Sequence, residues 1–133
     1  EAGLYRASRP VVTRALGPNE VVGAVVVYQG EKNAQTIIDA EAWLPLWSVT
    51  ADQIQTDYPG VPIVFVVPPV TNPNTVAYPG WTVMRAGVQA IANPSRNRWV
   101  VQAPDSAVIH LAARELTELG QRAASEIALR LAL

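Results

Sequence analysis

The chain has no cysteine. That excludes disulfides, thiolate catalysis and cysteine-based zinc sites, and leaves the compartment open. Its single histidine, His110, rules out a multi-histidine metal centre. No run approaches the roughly 20 apolar residues that a membrane-spanning helix needs, and the valine-rich runs are too short and too β-branched. Charge is scarce and balanced, at 16% of residues with a net −1, so the whole-chain balance gives no sign of a nucleic-acid partner. No loop clusters carboxylates for magnesium or calcium, and no cofactor is expected. No basic-then-apolar leader is present, and a start at Glu1 rather than Met implies that something upstream was trimmed or removed.

What is present is apolar material for a core: half of the 133 residues are hydrophobic, enough for one domain. Three runs read as buried strands, at Val21–Tyr28, Val61–Val67 and Arg98–Ala103. The first two lack alternation, the pattern of parallel strands covered on both faces. Helical spacing runs from about Ala34 to Tyr58, where Pro45 should start, kink or split a helix, and again over Gly80–Ala92. Ala112–Leu133 gives the clearest helix, with an apolar stripe of Leu116, Leu119, Ala123, Ile127 and Leu131. Alternating strands and helices imply an α/β domain over 21–133 with a parallel sheet and right-handed crossovers, preceded by an N-terminal arm over 1–20. Ligands of such sheets gather at the carboxyl ends of the strands. The segments to inspect are therefore Gln29–Asn33, Pro68–Pro79 and Pro104–His110.

The first of these, Gln29-Gly30-Glu31-Lys32-Asn33, carries a glycine that permits a tight turn and two amides, Gln29 and Asn33, able to donate to a developing oxyanion. Glu31 can orient a neighbour, although the same residues also suit a plain strand-to-helix turn with a polar cap. In the third, His110 follows a strand and precedes a long helix, where it can act as a general base, with Asp105 as its orienting acid. Tyr78, Trp81 and Arg85 are candidates for lining a cleft. Trp43, Trp47 and Trp99 read as core or interface residues.

Taken together, these residues resemble the SGNH hydrolases, most closely the sialate O-acetylesterase-like carbohydrate esterases. The resemblance runs from about Val21 to the end. It rests on Val27-Tyr28-Gln29-Gly30-Glu31-Lys32-Asn33-Ala34, on the strand Pro62–Val67, on Trp81, Arg85 and Gln89, and on His110-Leu111 followed by Leu119-Gly120-Gln121-Arg122-Ala123-Ala124. It implies a three-layer α/β/α, flavodoxin-like sheet, incomplete in this chain. It also implies a serine esterase mechanism in which Gln29, the Gly30 N–H or Asn33 stabilises the oxyanion and His110 takes the nucleophile's proton.

The departures from that pattern bear on activity. The family's Gly-x-Ser strand is absent, and Ser8 has neither an apolar strand before it nor a glycine beside it. Ala107 stands where the family places an aspartate, so Asp105 would have to substitute; Glu115 stands where glycine is frequent. The expectation is a non-catalytic or incomplete SGNH-like module, used for assembly or glycan contact in a larger structure such as an extracellular or virion particle. The alternative is part of an active carbohydrate O-acetylesterase whose serine lies on a missing N-terminal portion. A third reading, an unrelated flavodoxin-like domain, lacks a phosphate-cradling glycine loop. With the family's first strand missing, Val21–Tyr28 should be an open apolar edge, to be covered by another polypeptide, a subunit or the N-terminal arm.

Overall fold

The computed structural model describes residues 9–12, 14–72, 74–106 and 111–131. The chain forms a mixed α/β unit around a small parallel sheet, with strands β1 (Val25–Val27), β2 (Ile63–Val67) and β3 (Arg98–Gln102) in the order β1-β2-β3. Three helices flank it: α1 (Ile37–Asp57), α2 (Trp81–Ala90) and α3 (Ala113–Leu131). Short 3-10 turns at Asn33–Gln35 and Pro94–Arg96 complete the order. No helix among the described residues is long and apolar enough to cross a membrane.

β2 is the centre of the molecule. All five of its residues are buried, because it pairs on both sides and is covered on both faces. Ile63, Phe65 and Val67 face α1 and α2, meeting Trp43, Ala51, Ile54, Met84 and Val88. Val66 points the other way, toward Leu119 of α3, with Ala103 and Leu111. The two faces thus have separate apolar clusters, and each needs its own helical cover.

β1 is shorter than the Val21–Tyr28 run predicts. Its ladder begins where Val25 N–H donates to Pro62 O at 3.0 Å, and residues 21–24 extend beyond the start of β2 without a partner strand among the described residues. An apolar run records burial tendency; a strand also needs a neighbour over its length. Pro45 lies within α1 and neither starts nor splits it. Here the buried face of Trp43, Ala51 and Ile54 outweighs the missing hydrogen bond, whose loss costs on the order of 3 kcal/mol in a helix interior. Thr36 caps this helix, accepting from Asp39 N–H at 3.0 Å.

The stripe expected on α3 is only half used. Leu119 and Ala123 are buried against β2 and β3, whereas Leu116 and Leu131 are exposed. The opposite end of the sheet is fastened by Arg98, a buried arginine on β3 whose guanidinium donates to Asp52 and Gln55 of α1. Earlier in the chain, helical residues at 9–12 and 14–15 lead toward β1, and Arg9 pairs with Asp57 at 3.3 Å.

Candidate functional site

The three loops singled out by the sequence do leave the carboxyl ends of the three strands. After β1 the chain turns at Gly30, whose carbonyl accepts from Ala34 N–H at 3.0 Å. Gly30 has φ 141°, and a Cβ there would sit 2.6 Å from Met84 Sδ and 3.1 Å from Trp43 Nε1. Glycine is therefore required by both conformation and space. Ala34 is fully buried, and its carbonyl receives Gly80 N–H at 2.9 Å, which joins this turn to the start of α2. Gly80 is also fixed by space, since a Cβ there would lie 2.5 Å from Thr36 O.

The Gln29 side chain is committed inside the fold. Its carbonyl oxygen accepts the indole N–H of Trp43 at 3.0 Å and that of Trp47 at 2.9 Å. Its amide nitrogen donates to Asn33 Oδ1 at 2.9 Å. An amide has two acceptor lone pairs and two N–H donors, so one N–H of Gln29 is left for any ligand. The two indoles stack at 5.9 Å and each meets Phe65 edge-on at 6.0 Å, so this polar knot sits on top of an aromatic cluster. Glu31 is half-buried, and its carboxylate faces Tyr28. The Tyr28 hydroxyl is buried beside that carboxylate. Burial first, then the negative charge of Glu31, pushes the Tyr28 phenol up to about 12.

A second cluster lies at the ends of β2 and β3. Arg85 of α2 donates to Pro68 O and reaches Gln102 Oε1 at 3.5 Å. Gln102, the last residue of β3, donates to Pro68 O at 2.8 Å and lies within 3.2 Å of both Val67 O and Ala103 O. These side chains satisfy backbone carbonyls where the strands run out of partners. Burial lowers the Arg85 pKa, and the nearby Asp105 charge opposes that shift. Asp105 is exposed. It accepts from Thr71 N–H at 3.1 Å and Thr71 Oγ1 at 3.2 Å. The Thr71 backbone N–H, ahead of the other contacts, holds its carboxyl below the usual carboxylate range. Trp81 is buried and donates to Pro69 O at 3.0 Å, and Tyr78 packs edge-on against it at 6.1 Å.

The fold thus brings Gln29, Gly30, Glu31 and Asn33 together in one turn, and Tyr78, Trp81, Arg85 and Asp105 around a second cluster. His110, Ala107 and Ser8 lie outside the described residues. Among the described residues no group of three or more metal-ligating side chains occurs. Sequence reasoning did not pick out Gln102 and Thr71. Gln102 left one signal, an amide closing an otherwise apolar strand. The chain matches no protein-family model, no curated protein and no solved structure.

Proposed function

We propose that this chain is a non-catalytic module of SGNH-hydrolase-like build, a three-layer α/β/α, flavodoxin-like unit that serves assembly within a larger structure. The observation that carries this reading is the state of Gln29. The amide that would face an oxyanion accepts both Trp43 and Trp47 and donates to Asn33, so the Gln-Gly-Glu turn works as a brace between β1 and α1. Ala107 in place of the expected acid points the same way. Assembly is favoured over glycan contact because the best aromatic for a sugar face, Trp81, is buried with its N–H already engaged.

The second reading, part of an active carbohydrate O-acetylesterase, draws on Asp105, an exposed carboxylate after β3 that stays ionised as a triad acid must. Both of its oxygens are engaged by Thr71, which weakens that role. Hydrolysis of p-nitrophenyl acetate by the full chain, with His110→Ala and Ser8→Ala as controls, separates the two. The expected result is no rate above that of either variant. Activity abolished by both substitutions would overturn the non-catalytic reading.

A further inference from the structure

The two outer strands of the sheet end differently. In β3 the residues that point away from β2 are Arg98, Val100 and Gln102, because Asn97 O and Ala103 N–H are the groups that bond to β2. Asn93 closes an antiparallel bridge to both backbone groups of Arg98, and Arg122 donates to Gln102 O at 2.9 Å. That edge is blocked at both ends. On β1, Val25 bonds to Pro62 O, so the N–H and C=O of Val26 point outward, and no hydrogen bond to them occurs among the described residues. Val26 is 47% exposed and Val21 83% exposed.

A second unpartnered surface lies beside this edge. Ala40 and Leu44 are the α1 residues closest to Gly80 and Gly87, so they mark the flank of α1 that meets α2. Helical periodicity puts Ile38, Ala42, Leu46 and Val49 on the opposite flank, beyond β1. Ile38 is 78% and Val49 62% exposed. A helix apolar on two flanks expects a neighbour on each.

We infer that a second copy of this chain covers both surfaces, through antiparallel pairing of β1 with its two-fold mate and packing of α1 against its mate. α1 rests above β1 and β2, its tryptophans touching Gln29 and Phe65. With strands about 4.8 Å apart, a two-fold axis between the β1 strands sets the two α1 helices about 10 Å apart, a normal helix-packing distance. Covering Val21, Ile38, Leu46 and Val49 on both copies, together with the paired β1 backbones, removes on the order of 1,000 Å² from water, close to the least that a specific interface needs. This deepens the assembly reading and rests on it, naming the occupant of the open edge.

Sedimentation equilibrium of the full chain tests it. The expected mass is twice the 14.3 kDa of one chain. Val26→Pro removes an outward N–H that β2 does not use, and Val49→Glu places charge in the α1 seam; each should weaken the dimer by roughly tenfold or more. Leu129→Glu, on the exposed side of α3, should leave it unchanged. Amide exchange at Val26 should be slow in the dimer and fast in the Val49→Glu monomer. A monomer at every concentration overturns the proposal, whether its Val26 amide is protected by the chain's own N-terminal residues or is open. A dimer indifferent to both Val26→Pro and Val49→Glu overturns it as well. The esterase assay keeps the two failures apart: an inactive monomer removes the dimer alone, and an active one removes the assembly reading with it.

Discussion

Replacing Gln29 by leucine would leave two indole N–H groups and the Asn33 amide without their partner. A buried donor left unsatisfied costs about 1–3 kcal/mol, so Gln29→Leu should lower the unfolding free energy by roughly 2–4 kcal/mol in a urea titration and shift tryptophan fluorescence. A loss under about 0.5 kcal/mol would mean that the knot does not brace the fold. Tyr28 gives a test in pH. Its phenol moves from 10.0 to about 12 on folding, so the folded state holds that proton more tightly. The associated stability is full below pH 10 and is lost as pH rises through about 12. Absorbance of tyrosinate should show one of the four tyrosines titrating near the upper value in the native chain, and that step should vanish in Tyr28→Phe. A native chain with no tyrosine titrating near the upper value would contradict the burial of this hydroxyl.

At the scale of the element, α1 invites the simplest intervention. Pro45 is exposed and interrupts the hydrogen-bond ladder, so Pro45→Ala should stabilise the chain by about 1–3 kcal/mol, read as a higher urea midpoint with an unchanged slope. An unchanged or lower midpoint would show that proline suits the local geometry of this helix. The same residue shows where pattern reading stops. Proline is a local signal, whereas Trp43 and Ile54 on the buried face are decided by partners on β2 and α2. β2 was legible because its apolar run is bounded by Pro59-Gly60 before it and Pro68-Pro69 after it. β1 was legible in place and misjudged in length, since nothing in Val21–Ala24 records that its neighbour begins at Ile63. In α3, Leu116 fits the stripe by spacing, yet it is exposed.

For the whole molecule, the parallel direction of the strands followed from alternation of strands and helices, which depends only on the order of runs along the chain. The site was legible in part. Gln29 and Asn33 are four residues apart, so their meeting in one turn could be anticipated. The occupation of Gln29 by indoles 14 and 18 residues away depends on the phase of α1 over the sheet. Asp105 was chosen for its nearness to His110 in sequence, and its observed partner, Thr71, lies 34 residues back on another loop. Such contacts are set by how elements dock, and a single sequence has no local mark for them.

The antiparallel bridge from Asn93 and the Arg122 contact to Gln102 O have one more consequence. A building block with two adhesive sides can add subunits without limit, as fibrils do. One whose far side is closed can join once, and its growth then terminates. In the proposed dimer the engaged β3 edge would stop growth at two copies, and would keep a very apolar sheet from seeding open-ended polymers.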